Sequence, residues 1–201
     1  MKYDMKIGIM GGTFDPIHIG HLVAAEEARA VFGLDKVIFV PNYQPPHKPD
    51  VKVSHPEHRY AMVLLSIYTN PHFEVSRVEI ERGGPSYAID TVKEFKKLYP
   101  EAEIYFITGA DAIAEILSWK QGEEILKLCK FIAVTRPGYD IEKVKEKLSG
   151  VANDVQFLKI TEINISSTEI RRRVREGKPI KYLVLETVEN YIYKHNLYSG
   201  G

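Results

Sequence analysis

Two histidines three apart, His18 and His21, follow directly on a run of Gly11-Gly12-Thr13-Phe14-Asp15-Pro16. At this spacing they share one face of a helix. Two imidazoles in the first turn of a helix can donate hydrogen bonds to phosphate oxygens and stabilise charge that builds there in a transition state. A second cluster of useful residue types lies far along the chain, in Ser166-Ser167-Thr168-Glu169-Ile170-Arg171. It puts hydroxyls beside the unpaired N–H groups of a helix start, with a forked cation in the following turn. No carboxylate or cysteine near the histidine pair completes a metal-ligand set, so no metal ligands are assigned. Neither a Ser-His-Asp arrangement nor paired carboxylates can be picked out. What remains is chemistry on an already ionised group, where positioning and charge stabilisation do the catalysis.

The elements that must position these residues follow from the apolar pattern. Lys6–Met10 is a short Ile-rich run of the kind found in buried parallel strands. Gly11-Gly12 breaks it with a tight turn, and Asp15-Pro16 continues the turn. From about His18 the pattern is helical through Leu22, Ala25, Ala28 and Val31, ending at Phe32 with Gly33 as a left-handed cap. Strand, glycine turn and helix together place backbone N–H groups and a helix N-terminus at the C-terminal edge of a strand, which is an anion site. Gly20, between the histidines, allows close approach of a ligand. Lys36–Val40 is a second strand, so the first unit is βαβ with a parallel pair.

Polar residues then fall repeatedly where a strand ends, the edge at which open parallel sheets bind ligands. The Pro41–Pro49 loop leaves the second strand and carries Asn42 and Lys48; from position alone Lys48 is as well read as a solvated lysine as a phosphate contact. Ser54-His55-Pro56-Glu57 reads as a capping box opening a helix to about Thr69, with Met62, Leu65 and Ile67 in the core and Arg59 at the surface. Phe73–Glu81 alternates as a strand with one exposed face. Arg82-Gly83-Gly84-Pro85-Ser86 is a second glycine loop, with Ser86 as N-cap of a helix over Tyr87–Leu98. Glu103–Thr108 is a strand closed by Gly109-Ala110-Asp111. Asp111 suits a ribose hydroxyl or base edge, and it also suits capping a helix over Ala112–Leu117.

Trp119, the one tryptophan, lies between two helices on the ligand side; core anchor and ligand platform are equally good readings of it. Phe131–Thr135 is a buried strand ended by Arg136, which is placed to meet a carboxylate or phosphate. A charged amphipathic helix over Asp140–Leu148 and a last strand over Val155–Ile160 follow. Ser166 and Glu169 form a capping box, and Arg172, Arg173 and Arg175 read as a solvated face. Thr187–Leu197 is a closing helix.

Composition narrows the class. The 201 residues are 44% hydrophobic, enough for one core and one domain over residues 1–201, with C-terminal helices from about 166 to 198 packed on it. Lys plus Arg and Asp plus Glu each number 27, which argues against a nucleic-acid or membrane-surface protein. The single Cys129 excludes an internal disulfide framework and, amid Leu126, Leu128 and Ile132, reads as a buried thiol in a cytoplasmic protein. No membrane span or signal segment is expected. Oligomeric state is left open, a homo-oligomer included.

The run Gly12-Thr13-Phe14-Asp15-Pro16-Ile17-His18-Ile19-Gly20-His21 resembles the phosphate-binding signature of the nucleotidylyltransferase superfamily. Its last four residues spell the tetrapeptide shared with class I aminoacyl-tRNA synthetases. The Pro-Pro-His-Lys loop, the Ser86-Tyr87 loop, Trp119 and the Ser166–Arg171 run make the chain, over essentially its whole length, similar to bacterial nicotinate mononucleotide adenylyltransferases. The resemblance implies an α/β fold, Rossmann-like, with a mostly parallel sheet flanked by helices. It implies adenylyl transfer from ATP to nicotinate mononucleotide, giving nicotinate adenine dinucleotide and pyrophosphate in NAD biosynthesis. It assigns His18, His21 and Arg171 to catalysis. It assigns Gly11, Gly12, Thr13, Phe14, Gly109, Asp111, Ser167 and Thr168 to ATP. It assigns Asn42, Lys48, Ser86, Tyr87, Trp119 and Arg136 to the acceptor, with backbone N–H groups near Ser86 and Tyr87 meeting the pyridine carboxylate and Trp119 stacking on the ring. Ala88 stands where many members carry threonine, so that side-chain contact is not carried over. Mg²⁺ is expected, bound mainly through the ATP phosphates. The alternatives are the same chemistry on phosphopantetheine or nicotinamide mononucleotide, and a non-catalytic nucleotide sensor. A tRNA synthetase is disfavoured by the chain's length and neutral charge.

Overall fold

The computed structural model describes residues 5–45, 53–135, 141–148 and 155–199. These form a six-stranded sheet in the order β3-β2-β1-β4-β5-β6, with every neighbouring pair parallel. The strands are β1 (Met5–Gly12), β2 (Lys36–Pro41), β3 (Phe73–Val75), β4 (Ala102–Gly109), β5 (Lys130–Thr135) and β6 (Val155–Lys159). The order reverses direction at β1, and β1 pairs with both β2 and β4. Such a switch point opens a crevice at the strands' carboxyl ends, where no crossover covers the sheet.

Alternation along the strands feeds two cores. Ile7, Ile9, Ile38, Val40, Ile104 and Phe106 point to one face, where they pack with α4 (Ala88–Leu98) and α6 (Gly122–Leu128). Met10, Val37, Phe39, Tyr105 and Ile107 point to the other, against α1 (Ile19–Phe32), α2 (Pro56–Ile67), α8 (Ser167–Arg175) and α9 (Glu186–Lys194). A sheet buried on both faces calls for apolar side chains at successive positions, and the strands show this. The mostly parallel Rossmann-like sheet expected from the sequence is therefore present. Among the described residues no helix is long and apolar enough to cross a membrane.

Several boundaries differ from the sequence reading. β1 runs through Gly11 and Gly12, which pair with Val40 and Pro41, so the glycines end the strand instead of breaking it. α1 stops at Gly33 in the left-handed region, as expected, yet Val31 is exposed and Ala24 takes its place in the core. The strand expected over Phe73–Glu81 ends at Val75. Beyond it, the Ser76 hydroxyl accepts from Val78 N–H and turns the chain into a short helix, α3 (Val78–Arg82). Alternating polarity could not foresee this, because Glu79 is buried with a polar partner. α2 is capped by His55, whose Nδ1 accepts from Glu57 N–H, and Ser54 turns away to bond Asp15. Asp111 does not cap a helix over Ala112–Leu117. It lies inside α5 (Ala110–Ile113), whose N-cap is Gly109, and a 3₁₀ turn over Ile116–Ser118 follows. α7 (Ile141–Leu148) completes the helices.

Cys129 is buried at the end of α6, and burial pushes its thiol pKa up to about 12. The native protein is therefore expected to resist thiol-directed reagents at pH 8 and to label at one site once unfolded in urea. Rapid labelling of the folded protein would contradict the buried placement.

Candidate active site

Two cavities open at the switch point and meet at the end of β1. The first, about 490 Å³, and the second, about 350 Å³, share the walls made by Gly11, Gly12 and Thr108. His18, His21, Phe14, Gly109, Asp111 and Ser167 line the first. Thr13, Asn42, Ser86, Tyr87 and Trp119 line the second. The residues that the sequence singled out at either end of the chain thus converge, with Thr13 falling on the side of the second cavity. Lys48 and Arg136 lie outside the described residues.

The glycine turn owes its shape to close ring contacts. Phe14 sits at φ 50°, buried, with its ring over Gly12; a Cβ on Gly12 would come within 2.8 Å of that ring. The same ring meets His21 edge-on at 5.2 Å. His18 and His21 stack on each other with ring centres 3.7 Å apart. His21 Nδ1 accepts from His18 N–H at 3.2 Å. An accepting Nδ1 assigns the neutral His21 ring's proton to Nε2. Gly20 lacks a Cβ that would come within 3.1 Å of the His18 ring, so its first use is to seat that ring.

The turn is tied to distant parts of the chain through Asp15 and Pro16. The Asp15 carboxylate is buried; it accepts from Ser54 N–H at 3.1 Å and from the Tyr198 hydroxyl at 2.6 Å. Burial and this carboxylate push the tyrosine's pKa upward. Arg171 donates to the Asp15 carbonyl at 2.7 Å and to Thr168 Oγ1 at 3.3 Å, and Ser167 Oγ donates to the Pro16 carbonyl. Thr168 and Arg171 therefore sit beside the first cavity without lining it, while Ser167 lines it. Only half of the expected capping box forms on α8: Ser166 Oγ accepts from Glu169 N–H, but the Glu169 carboxylate binds Arg172 and Arg173.

Arg59 corrects the sequence reading most. It was expected at the surface and is wholly buried. Its guanidinium donates to the carbonyls of Ser54, Thr13 and Tyr43, at 2.8–3.0 Å, and to Asn42 Oδ1 at 3.0 Å. Asn42 in turn donates to Thr13 Oγ1. A signal for Arg59 was present: it shares the buried face of α2 with Met62, Val63, Ser66 and Ile67. Glu79 and Tyr198 were also missed, since their partners lie 12 and 183 residues away. Trp119 is half-buried, edge-on to Phe106 at 6.3 Å, and faces the second cavity, so it is both packed and available to a ligand.

A parallel sheet with paired cavities at its switch point, a glycine turn and a histidine pair defines a nucleotide-handling α/β enzyme, and the cytidylyltransferase-like family profile matches residues 9–173. The chain is 54% identical over 204 residues to a probable nicotinate-nucleotide adenylyltransferase of Thermoanaerobacter sp. (strain X514), covering 99% of this chain and 97% of that one. It is 48% identical to the protein of that name from Thermus thermophilus, covering 96% and 100%. The nicotinic acid mononucleotide adenylyltransferase of Plasmodium falciparum, solved in complex with NaAD, shares the fold with a TM-score of 0.81 at 24% identity, over 96% of this chain and 97% of that one. The chain belongs to the nicotinate-nucleotide adenylyltransferase family of cytidylyltransferase-like nucleotidyltransferases.

Arg59→Met is expected to leave four acceptors without their donor beside a buried site and to cost about 3–5 kcal/mol. The measurement is the urea midpoint at unchanged m-value. A midpoint equal to that of the unsubstituted protein would remove Arg59 from the framework of the site.

Proposed function

We propose that the chain transfers the adenylyl group of ATP to nicotinate mononucleotide, releasing pyrophosphate and forming nicotinate adenine dinucleotide, with ATP in the first cavity and the acceptor in the second. The observation that carries the geometry is the wall the two cavities share at Gly11, Gly12 and Thr108. A two-substrate transfer needs both reactants to meet at one atom, and two subsites joined at a backbone turn supply that meeting point.

In this reading an oxygen of the acceptor's 5′-phosphate attacks the α-phosphorus in line. A new P–O bond forms as the bond from the α-phosphorus to the bridging oxygen breaks, and the electron pair leaves with pyrophosphate. A phosphate monoester is largely ionised at neutral pH, so no general base is required. His18 and His21, which line the first cavity, donate to the α-phosphate as its charge shifts. Arg171, Ser167 and Thr168 at the start of α8 hold the departing phosphates, and Asp111 meets the ribose or base. Trp119 and Tyr87 frame the pyridine ring, with Asn42 and Ser86 shaping the wall beside them; Lys48 and Arg136 belong to the same acceptor set. Mg²⁺ would be held chiefly by the ATP phosphates, which fits a cavity whose lining offers the one carboxylate of Asp111; when bound it would neutralise phosphate charge. The chain acts as one nucleotidylyltransferase domain in the cytoplasm, a setting that suits its single buried thiol.

Pyrophosphate release with ATP and Mg²⁺, using nicotinate mononucleotide, nicotinamide mononucleotide and phosphopantetheine in turn, tests the assignment. Preference for the nicotinate acceptor is expected. Preference for the amide would keep the mechanism and overturn the acceptor, and no release with any of them would favour a nucleotide sensor. His18→Ala should lower kcat by on the order of 100-fold or more with little change in the KM for ATP. An unaltered kcat would remove His18 from the chemistry.

A further inference from the structure

Beneath the second cavity lies a buried carboxylate that the reaction above does not use. Glu79, on α3, forms part of the cavity wall while remaining only 6% exposed. It accepts a short hydrogen bond from the Thr91 hydroxyl on α4, and the nearby Ser86 hydroxyl favours its charged form. Arg82 stands beside the pair, 3.9 Å from the carboxylate and 3.1 Å from Thr91 Oγ1. Burial pushes the Glu79 pKa up, while the two hydroxyls and the nearby Arg82 and Arg59 guanidinium groups pull it back.

The bonds continue outward from Glu79 to the acceptor loop. Ser86 Oγ accepts from Tyr43 N–H at 2.9 Å, and Ser86 N–H donates to the Gln44 carbonyl at 3.0 Å. These two bonds join the 42–45 loop to the start of α4. Thr91 Oγ1 also lies 3.4 Å from the Tyr87 carbonyl, and Lys120 rests over the Tyr87 ring at 4.4 Å. The residues that face the second cavity at Ser86 and Tyr87 are thus held from behind by one acid.

We propose that Glu79 is a positioning residue for the acceptor nucleotide: by accepting from Thr91 in the first turn of α4, just behind the Ser86–Tyr87 loop, it holds that loop onto the second cavity, and so sets acceptor affinity and the choice of acid over amide. The chemistry of the site demands a carboxylate. A hydroxyl donor and a guanidinium converge on it, and an ionised carboxylate presents acceptors only. An amide at this position would turn an N–H group toward one of those donors. This inference rests on the second cavity being the acceptor site.

Steady-state kinetics on Glu79→Gln and on the isosteric Thr91→Val, with both mononucleotides as acceptors, provides the test. Glu79→Gln should raise the KM for nicotinate mononucleotide on the order of tenfold and Thr91→Val about threefold, while kcat and the KM for ATP stay within about twofold. The acid-to-amide ratio of kcat/KM should narrow in both. Quenching of Trp119, the only tryptophan, reads acceptor binding independently of turnover. If Glu79→Gln does not fold, Thr91→Val carries the same expectation. Folded variants with unaltered acceptor KM and ratio would overturn the inference, as would an equal loss for ATP and acceptor, which marks general loosening. A parent enzyme that releases no pyrophosphate with either acceptor overturns the proposed reaction and this inference with it; an active parent matched by its variants overturns this inference alone.

Discussion

The buried guanidinium of Arg59 is the interaction on which the ends of the strands depend. It gathers three carbonyls and one side-chain oxygen, from residues 13, 42, 43 and 54, around a single planar cation. Without it those four acceptors would lose their shared donor. Burial opposes that charge, and the nearby buried acids Asp15 and Glu79 favour it. One lies under the histidine turn and the other forms part of the second cavity's wall. A single cation therefore couples the two halves of the site, because an arginine fork can hold several backbone segments at once where a lysine point charge cannot.

Around that cation the chain closes on itself. Asp15 and Pro16 receive bonds from residues 54, 167, 171 and 198, so the segment before α2, the helix α8 and the tail after α9 all end on one dipeptide. Each bond is modest by itself. Together they hold a turn that carries Phe14 at positive φ and two histidines in mutual contact. Geometry of this kind suits a reaction in which the reacting phosphate brings its own charge and the protein contributes alignment.

The sheet and its helices were largely legible in the chain. β1, β2, β4 and β5 announce themselves as apolar runs, and α1 ends at Gly33 as its capping residue requires. Reading failed at β3 and α3, where alternation of polarity stood for a strand and the buried Glu79 belongs to a helix. The failure at Arg59 has the same root: charge in a sequence is read as exposure, and burial of a charge depends on partners that periodicity does not display.

Local chemistry is what the sequence determined by itself: a glycine turn, a histidine pair at a helix start, a hydroxyl-rich helix start, and a fold class written in its apolar runs. Those features depend on neighbours a few residues away, within reach of pattern and propensity. Only the tertiary structure decided that the turn is pinned by Tyr198, that Thr13 faces the second cavity, that Arg171 holds the Asp15 carbonyl, and that Arg59 and Glu79 are buried beneath the site. Each of these joins residues far apart in the chain, and the pairing is chosen by the packing of the sheet and its helices, which brings a donor and an acceptor to one buried point where neither can be satisfied by water.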